Sequence, residues 1–168
     1  MSCVGRERIF EHFSRLNKTD MTVLRLNYAC EVRYGVLVDI AQRVHAGQAV
    51  SLAMSYLNTI WQADASAMCV QSLGCATSPP NVINITGPEL LSVRDIAEEF
   101  GKRLGQAVRF EGSESSDALL SNAGKAYELF GRPRVNTQQM IDWIADWVRK
   151  GGTTLAKPTH FEDRAGRF

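Results

Sequence analysis

The stretch "NVINITGPELLSVRDIAEEFGKRLGQAVRF", residues 81–110, contains one strand, one turn, one capped helix and a second strand in thirty residues. "NVINI" is a short apolar run rich in β-branched residues and bounded by polar ones, which predicts a strand. Gly87 and Pro88 break it. In "LLSVRDIAEEFGKRLG" Ser92 is placed to cap a helix, with Asp95 reaching back. Val93, Ile96, Ala97, Phe100 and Leu104 recur at helical spacing and form an inner stripe. "AVRF" then returns as a strand. A strand, a helix and a strand in this order predict an α/β layer.

The flanking segments repeat the alternation. "TDMTVLRL" predicts a turn and a buried strand over Met21–Leu26, and "VLVDIAQRVHAG" a helix with Leu37, Ile40, Ala41 and Val44 inward and Gly47 as its stop. "QAVSLAM" reads as a strand and "ADASAMCVQSLG" as a helix ended by Gly74. "NAGKAYELFG" and "NTQQMIDWIADWVRKGG" read as two further helices, the last burying Met140, Ile144, Trp147 and Val148. Trp143 and Trp147, four apart, read as core. At the N-terminal end Arg6, Glu7, Arg8, Ile9, Phe10, Phe13 and Leu16 form an amphipathic helix with nothing ahead of it to lead in. The tail, "TTLAKPTHFEDRAGRF", has little periodicity.

The 168 residues suffice for one ordinary core. A net charge of +1 excludes an overall field that draws the chain to nucleic acid or an anionic membrane. No apolar run is long enough to span a bilayer and no signal-peptide core opens the chain, so the expected address is cytoplasmic. Cys3, Cys30, Cys69 and Cys75 are scattered and not in CxxC spacing, so free buried thiols are expected and no metal site.

Little catalytic equipment is legible: no GxGxxG, P-loop, HExxH or GxSxG occurs. His12 and His45 read as helix-surface residues. His160, in "KPTHFE", is a candidate functional side chain because it lies in an irregular tail. Asp64 opens a helix, where a carboxylate caps free N–H groups. "RLNYACEVRYG" directly follows a predicted strand, and ligands of open α/β sheets bind at the carboxyl ends of strands. Asn27, Tyr28, Arg33 and Tyr34 offer donors and aromatic faces there.

Four stretches together resemble the C-terminal part of the extended short-chain dehydrogenase/reductases, the NAD-dependent epimerase/dehydratase family. "TVLRLNYACEVRYGVLVDIAQRVHAGQAV" resembles that family's last core strand, substrate loop and next helix. "NTIWQADASAMCVQSL" is similar to the segment where an aromatic and an aspartate, here Trp61 and Asp64, open a helix. Residues 81–110 resemble its Asn-Ile-x-Gly turn, helix and strand. "SNAGKAYELFGRPRVNTQQMIDWIADWV" resembles the terminal helices of the substrate lobe.

The resemblance implies the last strand–helix units of a Rossmann-like sheet plus a small mixed α/β substrate-binding lobe. It divides the chain into residues 1–35 as a remnant of the dinucleotide domain, 36–152 as the substrate lobe with a segment returning to the core, and 153–168 as a C-terminal arm. "SCVGRERIFEHFS" resembles the helix carrying the family's catalytic Tyr and Lys, beginning inside the motif, with Cys3 where Lys is expected and the Tyr just before Met1. No catalytic residue is therefore expected in this chain. NAD or NADP is implied as cofactor, with Cys3, Asn27 and Tyr28 nearest it and most of its site missing.

A sugar or nucleotide-sugar is the implied ligand, met by Asn27, Tyr28, Arg33, Tyr34, Trp61, Asp64, Arg132 and His160. Many relatives grip the diphosphate with an Arg where this chain has Leu57, which leaves Arg33 and Arg132 as candidate replacements. The arm, with Lys157, His160, Phe161, Arg164 and Arg167, is expected to dock on its own cleft or on a neighbour. Self-association, or a partner covering an exposed sheet face, is expected as well. The alternative is a stand-alone, non-catalytic binding or interaction module derived from that family.

Overall fold

The computed structural model describes residues 3–162; Arg164 and Arg167 of the arm lie outside them. Helix α1 (Cys3–Asn17) leads into β1 (Thr22–Leu26) and β2 (Ala29–Cys30). Helix α2 (Val36–His45) follows, then the short strands β3 (Ala49–Ser51), β4 (Tyr56–Leu57) and β5 (Ile60–Trp61). Helix α3 (Gln62–Gln71), strands β6 (Asn81–Ile85) and β7 (Leu91–Ser92), and helix α4 (Val93–Leu104) come next. Strand β8 (Arg109–Glu111) and helices α5 (Gly124–Phe130) and α6 (Thr137–Arg149) complete the order.

The strands pair as four two-stranded ladders. β1 runs parallel to β6, with Thr22 opposite Asn81 and Leu26 opposite Ile85. β2 and β5 are parallel, as are β3 and β8, whereas β4 and β7 are antiparallel. Parallel pairing requires long crossovers, and here helices supply them. No helix among the described residues is long and apolar enough to cross a membrane.

The main core lies where α2, α4 and α6 meet. Leu37, Ile40, Ala41 and Val44 of α2 are buried, as are Val93, Ile96, Ala97 and Phe100 of α4 and Met140, Ile141, Ile144 and Val148 of α6. Each of these side chains larger than alanine contributes about 1.5–3 kcal/mol through burial. A second cluster joins Ile83 and Ile85 of β6 to Ala65 and Met68 of α3 and Ala126 of α5.

Helix ends follow local chemistry. Ser92 Oγ accepts from the Asp95 N–H and begins α4; Gly105 ends it in the left-handed conformation, φ 66°. The full reciprocal box forms at α6, where Asn136 accepts from the Gln139 N–H and the Gln139 side chain accepts from the Asn136 N–H. Residues 81–110 thus fold as read, with the one-way cap at Ser92 in place of the expected reciprocal one.

Four other expectations are corrected. Met21–Leu26 is not a buried strand: β1 is half-covered and Leu26 is 57% exposed, because β6 flanks one edge only. Gly74 does not end α3, which stops at Gln71 and passes into a 3-10 turn over Ser72–Cys75. Of the four free cysteines only Cys30 is buried. Trp143 and Trp147 are not core residues. Trp143 is 41% exposed and meets Trp61 edge-on at 5.2 Å, while Trp147 donates from its indole to the Thr153 carbonyl.

α1 is the least covered helix. Of its side chains only Ser14 is buried, bonded to the Thr19 carbonyl and to Ser78. Arg25 of β1 donates twice to Glu7, at 2.9 and 2.5 Å, and ties α1 to the strand. Ile9, Phe13 and Leu16, on one stripe of the helix, remain exposed.

Candidate functional site

A cleft of about 710 Å³ opens at the carboxyl end of β1. Asn27, Tyr28 and Ala29 form its floor; Tyr34, Gly35 and Val36 form one wall, and Ala156–His160 the other. The floor is held rigidly. The Asn27 N–H donates to the Ile85 carbonyl across the ladder. The Asn27 side-chain amide donates to Asn58 Oδ1 at 2.7 Å, and the Asn58 amide donates in turn to the Ser121 carbonyl. The Tyr28 carbonyl accepts from the Ile60 N–H and from the Thr59 hydroxyl.

Tyr28 is half-buried. Burial, and secondarily the charge of Glu162, push its phenol above the usual tyrosine range, so it stays protonated and able to donate. Beneath the floor, burial likewise raises the Cys30 thiol, which lies 3.1 Å from the Thr59 hydroxyl.

The wall from α2 depends on a tight turn. Glu31 and Tyr34 exchange backbone hydrogen bonds, and Gly35 enters α2 with φ 125°. A Cβ at Gly35 would fall 2.6 Å from Cys30 Sγ, so glycine is required by conformation and by space.

The opposite wall comes from the end of the chain. Thr159 donates its backbone N–H and its hydroxyl to one oxygen of Asp39. Arg43 donates to Glu162 at 3.1 Å, and the Leu155 N–H donates to the Arg33 carbonyl. Phe161 is 2% exposed and belongs to the main core. The described part of the arm, residues 153–162, lies across α2 of its own chain.

The structure brings together Asn27, Tyr28, Tyr34 and His160. It does not bring in the other expected residues. Arg33 points to Glu31, its Nε 3.0 Å from both carboxylate oxygens. Arg132 lies 6.0 Å over the Tyr127 ring. Trp61 packs on Trp143. Asp64 does not cap its own helix: it accepts from the Val135 N–H at 2.9 Å, joining the start of α3 to the lead-in of α6. Cys3 is exposed and accepts from Arg6. Leu57, in β4, is fully buried, so that position cannot meet a phosphate.

Asn58, Thr59 and Thr159 were not legible as site residues. Asn58 and Thr59 sit between two short strands, and only the fold puts them under the cleft. Thr159 lies 120 positions from Asp39. Among the described residues no group of three His, Cys, Asp or Glu is arranged to hold a metal ion.

No protein-family model matches the chain, and no curated protein matches it. Solved structures do. The UDP-glucuronic acid 4-epimerase of Bacillus cereus in complex with NAD superposes with a TM-score of 0.72 at 16% identity, over 86% of this chain and 49% of that one. The chain has the fold of half a UDP-sugar epimerase. The UDP-glucose 4-epimerase of Thermotoga maritima with UDP-glucose gives 0.71 at 18% identity, over 88% of this chain and 52% of that one. The Thermus thermophilus UDP-glucose 4-epimerase complexed with NAD gives 0.69 at 18% identity, over 85% and 51%. The chain thus spans about half the length of these epimerases, and its α/β ladders belong to their Rossmann-like architecture.

NAD is bound in two of those epimerases. In this chain the strand-to-helix turn beside the cleft is β2–Gly35–α2, and the space over Gly35 is filled by Cys30. A dinucleotide's pyrophosphate needs an open glycine face at a helix N-terminus. This turn does not fit one.

Proposed function

We propose that this chain is the substrate-binding portion of an NAD-dependent epimerase/dehydratase-like protein, and that it binds a sugar or nucleotide-sugar without catalysing a reaction as an isolated chain. The observation that carries this reading is the cleft at the carboxyl end of β1, in an epimerase fold, with Asn27, Tyr28, Tyr34 and His160 on its lining. In this reading residues 1–35 belong to the dinucleotide side, 36–152 to the substrate lobe and 153–168 to the arm.

The chemistry of the lining suits a polyhydroxylated ligand. Tyr28 and Tyr34 present phenol donors and ring faces, and Asn27 is fixed by Asn58 so that its orientation is set before a ligand arrives. Among the described residues no carboxylate lines the cleft; the negative charge felt at its floor is that of Glu162, which lies outside the lining.

Calorimetric titration with UDP-glucose tests this. Saturable binding that Tyr28→Phe and Asn27→Ala each weaken about tenfold is the expected result. Failure of UDP-glucose and UDP-glucuronic acid to bind would overturn it. Turnover of a UDP-sugar with NAD by the 168-residue chain would overturn the non-catalytic part.

A second reading rests on a different observation, the exposed stripe Ile9, Phe13 and Leu16 on α1. It makes the chain a non-catalytic interaction module in which self-association covers that stripe. Sedimentation of the pure chain distinguishes the two: a dimer that Phe13→Glu converts to monomer supports the module, and a wild-type monomer removes it.

A further inference from the structure

We propose that Ala156–His160 is a strap that closes the cleft over a phosphate-bearing ligand and supplies, through Lys157 and His160, the cationic contact to that phosphate. The proposal rests on the cleft being the ligand site.

Charge bookkeeping around the cleft leads to the strap. A nucleoside diphosphate needs a cation, and four other places for one are closed. Leu57 is apolar and fully buried. The Arg33 guanidinium is committed to Glu31. Arg132 stands over Tyr127, away from the cleft. Arg25, just ahead of the floor, is committed to Glu7. Among the described residues lining the cleft, Lys157 and His160 are the ones able to carry positive charge, and both come from the strap. Both are exposed, so neither has to be desolvated before a ligand arrives.

The strap is also built as a separate, bounded piece. Ala156 and His160, at its two ends, hold left-handed backbone with φ of 52° and 49°. Non-glycine residues adopt that region at a cost, and it persists where surrounding contacts impose it. Those contacts are Thr159 on Asp39, Glu162 on Arg43 and Phe161 in the core. Behind the strap lies a second cavity of about 680 Å³, which Pro158 and His160 also line. Space on both sides lets the segment between its bonds move while Phe161 stays seated.

The test uses the full chain and three probes: UDP-glucose, inorganic pyrophosphate and uridine. Lys157→Ala and His160→Asn are the variants. Both positions are exposed, and Asn tolerates the left-handed backbone at residue 160. The expected result is that each variant weakens UDP-glucose and pyrophosphate roughly tenfold or more and leaves uridine unchanged. Added salt should weaken pyrophosphate binding in the wild type more than in Lys157→Ala.

UDP-glucose affinity that neither variant alters would overturn the strap proposal and leave the cleft reading intact. Pyrophosphate binding that depends on Lys157, with no binding of UDP-glucose, would keep the strap and overturn the sugar-nucleotide reading. Absence of binding by all three probes would overturn both. Thermolysin cleavage before the exposed Leu155 at the entry to the strap, slowed by saturating UDP-glucose in the wild type, is the independent readout of closure; cleavage unchanged by bound ligand would count against it.

Discussion

Thr159 donates its backbone N–H at 2.7 Å and its hydroxyl at 2.6 Å to the same carboxylate oxygen of the half-buried Asp39 of α2. This pair of bonds spans 120 positions and fixes the chain end against the helix that walls the cleft. Burial is the largest influence on Asp39 and raises its pKa above 3.8, with Glu162 adding to the rise and Thr159 and Arg43 opposing it.

An acid whose folded pKa is raised contributes stability that is complete below its unfolded pKa and is lost as pH climbs through the folded one. Asp39→Asn keeps an oxygen that accepts from Thr159 and removes the titration. The melting temperature of Asp39→Asn minus that of the wild type is therefore expected to grow as pH rises above 3.8. Asp39→Leu removes the acceptor, and faster thermolysin cleavage before Leu155 is the expected sign of a released strap. A difference that stays flat with pH would contradict the account of Asp39.

Asp64 makes a separate prediction. Its carboxylate satisfies the Val135 N–H, and the residue is 9% exposed. Asp64→Ala leaves that N–H without its acceptor and should cost about 2 kcal/mol in urea unfolding, while Asp64→Asn should cost under about 1 kcal/mol. Equal losses in the two variants would show that the bond is not what the residue contributes.

Gly87 follows β6 and passes under the Thr59 carbonyl. A Cβ there would lie 1.9 Å from that oxygen, a contact with backbone that no rotamer relieves. Gly87→Ala is expected to cost about 3 kcal/mol, a fall in melting temperature of roughly 6–12 °C for a chain of this size. Because Thr59 holds the Tyr28 carbonyl, the same variant should weaken UDP-glucose binding.

Thr86 is fully buried, and its hydroxyl has no hydrogen-bond partner among the described residues. Thr86→Val keeps the shape and removes the unsatisfied group, so a gain of about 1 kcal/mol in chemical denaturation is expected. A loss of similar size would mean that the hydroxyl has a partner, such as a bound water.

Local signals were enough for α2, α4 and α6, because each carries an apolar stripe at helical spacing and the last two carry a side-chain cap at the N-terminus. They were not enough for Trp143, Trp147 or β1. A four-residue spacing of aromatics reads as core whether a helix packs on one side or two, and an apolar run does not announce how many neighbours its strand has. Asp64 was placed correctly at a helix start, but its acceptor role points to a backbone N–H 71 residues away, which no local pattern encodes.

The candidate site divides along the same line. Asn27, Tyr28 and Tyr34 were legible because they follow a strand, and strand ends of parallel ladders are where such folds open. Arg33 was legible as a cation but not as one already paired, since the Glu31–Tyr34 turn that folds its guanidinium back onto Glu31 forms only in context.

The sequence by itself determined the alternation of strands and helices, the inward faces of the three central helices and the strand end that bears the cleft, because these depend on periodicity and neighbouring residues. The tertiary structure alone decided that residues 156–160 supply the second wall, that Asn58 orients Asn27, and that Lys157 and His160 line the cleft while Arg33 and Arg132 do not. Those outcomes depend on contacts between distant segments, where burial and competition for partners, rather than local propensity, select which side chain meets which.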